Sequence, residues 1–160
     1  MPHIGQNEAL DIMMDNKPKT AMEIQHGGYH YKKMAIQPFE MTLANDYDGA
    51  IHSILKYVHR HGDKGGAEDL KKAAHICGIR AEMIAKHGCR NNSRDHIKIG
   101  EYVRVNNIPH DEAAILILLD YWARVSTYED KLGMTTPFSE TLAHLIEKLS
   151  AIRYGGFEND

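Results

Sequence analysis

Apolar residues recur along this chain at the i, i+3, i+4, i+7 spacing of a helix face and hardly ever in sustained alternation. Ile51, Ile54, Leu55 and Val58 form one such stripe and predict a helix over 48–61. Leu70, Ala73, Ala74, Cys77, Ala81 and Ile84 form another and predict a long helix from about Ala67 to about Lys86. Its small residues would let a second helix approach closely. Gly62-Asp63-Lys64-Gly65-Gly66 breaks the pattern between the two, and Gly88 closes the second. Pro38 suits the first turn of a helix running to Asn45. Pro109 followed by Asp111 and Glu112 sets acids at the positive end of a helix dipole. That helix, Glu112 to Tyr128, is apolar nearly all round between Ala113 and Leu119, as suits a central helix or one at a subunit interface. Pro137 begins a last helix with Leu142, Leu145, Ile146, Leu149 and Ile152 as its buried face.

The remaining stretches are less regular. Glu8 to Met14 is a short amphipathic segment, residues 25–34 form a glycine-hinged loop, and Arg90 to Arg94 is a polar loop. Asp95 to Val105 fits either helix or short strand. The expected fold is mainly α: a compact, single-domain, oligomeric bundle of about six helices with a basic helix-turn-helix. Its expected parts are an N-terminal segment (1–28), a helical region (29–88) and a C-terminal helical extension (89–160) on the same core.

A chain of 160 residues is enough for one domain with a real core. Charged residues make up 26%, mixed in sign with a net charge of −3, which argues against disorder and against a nucleic-acid partner. Two cysteines cannot build a disulfide framework. The first residues lack the basic and apolar regions of a signal peptide, and the longest apolar run is far below the roughly 20 residues that span a bilayer. A cytoplasmic protein with no membrane partner is expected.

The helix over 48–61 carries a second pattern. His52, Lys56 and Arg60, spaced by four, form a stripe along its surface. Lys64 follows in the turn, and Lys71 and Lys72 open the next helix. Such a cluster can hold a phosphorylated ligand, with Arg as a fork and Lys as a mobile charge. Backbone N–H groups at Gly66-Ala67-Glu68 would add donors. The plainer alternative is a solvated basic face on which Lys72 pairs with Glu68. Glu68 and Asp69 either complement the helix dipole or hold Mg²⁺ or a sugar hydroxyl, since magnesium takes one or two carboxylates plus phosphate oxygens.

Zinc is not expected. His75-Ile76-Cys77 and His87-Gly88-Cys89 repeat an H-x-C pattern, but residues 75 and 77 point about 200° apart on a helix and no C-x-x-C occurs. Walker, Rossmann and nucleophile-elbow motifs are absent.

His30-Tyr31, Ile36-x-Pro38, Asn45, Gly49, Lys56-Tyr57-x-x-Arg60, Gly62-x-Lys64 and Glu68-Asp69-Leu70-x-Lys72-Ala73 together carry a resemblance. In their order and spacing, residues 30 to about 85 resemble a small tailed-phage domain (DUF3310-like), related to the C-terminal domain of the nucleotide kinase of T7-like phages. Residues 90–160 match nothing comparable. The resemblance implies a phage nucleotide-binding protein of the host cytoplasm, a nucleotide kinase-like enzyme transferring phosphate to a deoxynucleoside monophosphate. Lys56, Arg60 and Asp69 would be its catalytic residues. His30, Tyr31, His52, Lys56, Tyr57, Arg60, Lys64 and Lys72 would bind the nucleotide, with Tyr31 or Tyr57 stacking on the base. Asp69 and Glu68 would hold Mg²⁺. Catalysis would rest on positioning and charge neutralisation. One alternative is a non-catalytic phage sponge that sequesters a host immune nucleotide signal, which needs the same grip and no catalytic base. A helical nucleoside-triphosphate pyrophosphohydrolase ranks third, because Glu40, Asp46, Asp48, Glu68 and Asp69 do not form its E-x-x-E and E-x-x-D pattern.

Overall fold

The computed structural model describes residues 18–24, 26, 30–88, 93–131 and 135–155, with the backbone course alone for 125–131 and 135–136. Contacts divide the chain into two units, Met1–Lys33 and Met34–Asp160. In the first, a 3-10 turn spans Ala21–Glu23, and the Thr20 N–H donates to the Glu23 carboxylate at 2.6 Å. The amphipathic segment expected at Glu8 to Met14 and part of the loop at 25–34 lie outside the described residues.

Among the described residues the second unit has six α-helices: α1 (Pro38–Asn45), α2 (Gly49–Arg60), α3 (Gly66–His87), α4 (Ile99–Val105), α5 (His110–Lys131) and α6 (Thr135–Tyr154). No strand occurs among the described residues. The mainly helical expectation holds, and no described helix is long and apolar enough to cross a membrane.

The long α3 is the centre of the packing. It lies most extensively against α6 and next against α2, while α5 contacts α6 and α2. The expected α2 stripe and the six expected α3 residues are all buried, and Trp122, Leu116 and Leu119 of α5 complete the core with Leu142, Ile146 and Leu149 of α6. Cys77 belongs to this core. Burial pushes its thiol up to about 12, and its Sγ donates to the Ala73 carbonyl at 3.4 Å.

Backbone between helices is satisfied in two places by asparagine side chains. The Asn45 amide donates to the Ile97 carbonyl at 2.8 Å and accepts from the Ile97 N–H at 2.9 Å. The Asn106 amide does the same for Ile36, at 2.9 and 3.2 Å. These clamps resolve the segment left open between helix and strand. Ile97 lies in a bend held by Asn45, and the chain turns helical from Ile99 with Tyr102 fully buried.

Two details of α6 differ from expectation. It starts at Thr135, with Pro137 inside its first turn, where a missing N–H costs little. Ile152, expected in the core, is 59% exposed. Its neighbours Arg153 and Tyr154, themselves exposed, reach polar partners on α5 and at the α2–α3 turn.

Candidate functional site

The α2–α3 hairpin carries the basic residues singled out in the sequence, and its turn sets their geometry. Asp48 caps α2, its Oδ1 accepting the Ile51 N–H at 2.9 Å. At the other end the chain reverses through His61 to Gly65. The Gly66 N–H donates to the His61 carbonyl at 3.0 Å, and Gly65 adopts φ +85°. A Cβ at Gly65 would lie 2.2 to 2.4 Å from the carboxyl atoms of Asp69, so glycine is required both by conformation and by this close approach.

Asp69 is turned into the hairpin and is only 2% exposed. Arg60 meets it as a fork, with Nε to Oδ2 at 2.9 Å and Nη2 to Oδ1 at 3.3 Å. Thus two of the three residues expected to be catalytic engage each other.

The third, Lys56, joins a cluster around Tyr57. Its Nζ lies 4.8 Å from the Tyr57 ring centre, the Arg60 guanidinium carbon 5.1 Å and the Lys72 Nζ 5.9 Å. Burial lowers the Lys56 ammonium below its ordinary value. Arg60 and Lys72 push the same way, and Asp69 opposes them. The charges that act on Lys56 are therefore those of Arg60 and Lys72 on one side and Asp69 on the other. Lys72 sends its ammonium to this ring.

The other expected residues are placed as follows. His52 continues the stripe, but its Nδ1 is hydrogen-bonded to the Thr42 hydroxyl at 2.7 Å and its ring meets the edge of Phe39. Burial, then Lys56, lowers its imidazole. Lys64 and Glu68 are exposed. His30 and Tyr31 belong to the first unit, their ring centres 4.2 Å apart. Among the described residues no group of three or more His, Cys, Asp or Glu is arranged to hold a metal ion.

A second polar group was not legible in the sequence. His61, Glu112 and Tyr154 come from the α2–α3 turn, the first turn of α5 and the end of α6. His61 Nε2 lies 3.0 Å from Glu112 Oε1, and its Nδ1 lies 2.7 Å from the Tyr154 hydroxyl. Arg153 holds Glu112 through Nε at 3.3 Å and Nη2 at 3.2 Å. Burial works to raise the Glu112 carboxyl, but hydrogen bonds from Arg153, its own backbone N–H and His61 outweigh it and keep the group below its ordinary value. These residues border a cleft of about 460 Å³, which His59 and Asp63 also line. His59 bonds the Tyr102 hydroxyl through Nδ1, and burial, opposed by Asp63, lowers its imidazole to about 4. Sequence separations of 51 and 93 residues hide the His61 contacts from any local pattern.

No curated protein and no solved structure matches the chain. Residues 24–76 match the model of a family described as a protein of unknown function, DUF3310, a span that takes in the whole Tyr57 cluster and stops short of Glu112 and Tyr154.

Proposed function

We propose that the chain binds a phosphorylated ligand of the nucleotide class on the face formed by Lys56, Arg60 and Lys72. The observation that carries this reading is the convergence of those three cations on the Tyr57 ring, within 4.8 to 5.9 Å of its centre, around a single buried carboxylate. Like charges held this close repel: after burial, Arg60 and Lys72 lower the Lys56 ammonium further, and a phosphate dianion would relieve that part. Asp69 fixes the Arg60 fork from one side, which orders its donors before a ligand arrives.

Binding without transfer accords better with this geometry than the kinase-like reading. Phosphoryl transfer calls for a carboxylate able to hold Mg²⁺ or to take a proton. Asp69 is buried and engaged with Arg60, so its availability to a metal would require that pair to open.

The test uses the purified full chain and a panel of deoxynucleoside mono- and triphosphates with cyclic and ADP-ribose-type nucleotides, analysed by mass spectrometry before and after heat denaturation. The expected result is a panel member depleted from solution and returned unchanged on denaturation. A new diphosphate would replace this reading by the kinase, and release of pyrophosphate by the pyrophosphohydrolase. Failure of every panel member to bind would overturn it.

A further inference from the structure

The cleft beside the hairpin holds an array that phosphate binding does not use. Glu112 is 3% exposed and His61 6%, whereas Tyr154, whose hydroxyl touches His61, is 42% exposed and lines the cleft. Glu112 can only accept, so a His61 ring carrying one proton on Nε2 would present Nδ1 as an acceptor to the Tyr154 hydroxyl at 2.7 Å, nearer than the 3.3 Å at which that hydroxyl donates to the His61 carbonyl. A hydroxyl, an imidazole and a carboxylate are thus joined at 2.7 and 3.0 Å, with the carboxylate itself clamped by Arg153. This is the order of an activated nucleophile, its base and the group that orients the base.

We propose that Glu112, His61 and Tyr154 form a second reactive site, in which the Tyr154 hydroxyl is a base-assisted nucleophile toward the acyl group of an uncharged carboxylic ester. The charge around the cleft selects that class of substrate. Asp63 and Glu112 line it, Arg153 is engaged by Glu112 at 3.2 Å and lies 3.6 Å from Asp111, and burial holds the His59 imidazole down at about 4. A phosphate anion is repelled there and a neutral ester is not. The volume of about 460 Å³ lies within the range of small-molecule sites.

The step balances without a cofactor. The Tyr154 oxygen adds to the ester carbonyl carbon while its proton passes to His61 Nδ1, and the resulting imidazolium is held by Glu112. The ester C–O bond then breaks, and the alcohol leaves with that proton. Water next attacks the acyl-tyrosine, the carboxylic acid departs, and Tyr154 regains a proton through His61. Burial and Glu112 raise the Tyr154 phenol, so it rests protonated and depends on its base at the moment of reaction.

Acetylation by p-nitrophenyl acetate tests this, read by peptide mapping of the full chain at neutral pH. Tyr121, 44% exposed, serves as a reference of equal accessibility within the same molecule. Tyr154 should be acetylated at least tenfold faster than Tyr121. Glu112→Gln and His61→Asn should bring Tyr154 down toward the Tyr121 rate while leaving Tyr121 itself unchanged, which also reports that the fold is kept. p-Nitrophenyl phosphate should leave Tyr154 unmodified. Equal rates at the two tyrosines of the unaltered chain would overturn the proposal even if both variants failed to fold. A Tyr154 rate indifferent to both substitutions, or equally fast phosphorylation, would overturn it as well.

Discussion

Two arginine–aspartate pairs tie α2 to α3, one at each end of the hairpin, and they do different work. At the start of α2, Asp48 caps the helix and accepts from Arg80 Nε at 2.9 Å, while the Arg80 guanidinium stacks 4.3 Å over Trp122. That arginine is buried, is paired with the Asp48 carboxylate, and lies over the Trp122 ring of the core. At the turn, the arrangement is reversed. Asp69 is the buried partner, Arg60 lies nearer the surface, and Lys56 and Lys72 add charge that Asp69 does not balance. The same pair of residue types therefore acts as a staple where charge is balanced and as a candidate anion site where it is not. What marks a site is the surplus.

The sharpest way to break this comparison is to remove Asp69. Asp69→Ala leaves Arg60 without its buried partner beside two lysines and should lower unfolding free energy by about 3–5 kcal/mol, measured by urea denaturation. Millimolar inorganic phosphate should recover part of that loss, because an anion takes over the role of the carboxylate. A variant that phosphate does not stabilise would argue that this end, too, is only a staple.

Acid should weaken the turn end next. His59, one residue before Arg60, is lowered from 6.5 to about 4 by burial. Between those values the unfolded chain takes up a proton that the folded chain refuses. Stability is therefore complete above pH 6.5 and declines as pH falls toward 4, by about 3 kcal/mol for this group. Urea midpoints of the original chain and of His59→Phe, compared at pH 7 and pH 5, should show the acid loss reduced in the variant. Equal losses in both would remove His59 as its source.

The sequence made the hairpin legible and left its chemistry half-read, for physical reasons. The apolar stripe of α2 and the small residues of α3 are local and periodic, so their burial follows from spacing alone. The Lys56 and Lys72 assignments also rest on local spacing. The Arg60–Asp69 pair does not: nine residues separate the partners, and only the tight reversal at Gly65 brings them together. Read separately, one looked like a phosphate ligand and the other like a metal ligand. Asn45 and Asn106 are harder still, because an amide clamp on a backbone 52 or 70 residues away has no periodic signature. The segment ending at Val105 is ambiguous for that reason, since its non-helical part is held by a side chain from α1. Ile152 shows the converse error. It has the right spacing for the α6 core face, yet the final turn is oriented by the ion pair of Arg153 with Glu112 and the bond of Tyr154 to His61.

The smallest expected effects on stability are the most informative about function, because the two ends of the hairpin should respond in opposite ways. Arg80→Lys keeps the charge but gives up the planar stack on Trp122 and the directed bond to Asp48. It should cost about 1–2 kcal/mol and leave affinity for a phosphorylated ligand unchanged. Lys56→Ala and Lys72→Ala should each alter stability by less than about 0.5 kcal/mol, with a slight gain where repulsion is relieved. Each should nonetheless weaken the phosphorylated ligand about tenfold, a change of about 1.4 kcal/mol, and should flatten the dependence of binding on salt. Calorimetric titration at two ionic strengths beside urea midpoints reads both quantities on the same samples. Should Lys56→Ala destabilise the fold and leave binding intact, the turn end is a scaffold like the Asp48 end, and the surplus of charge there is no longer evidence of a site.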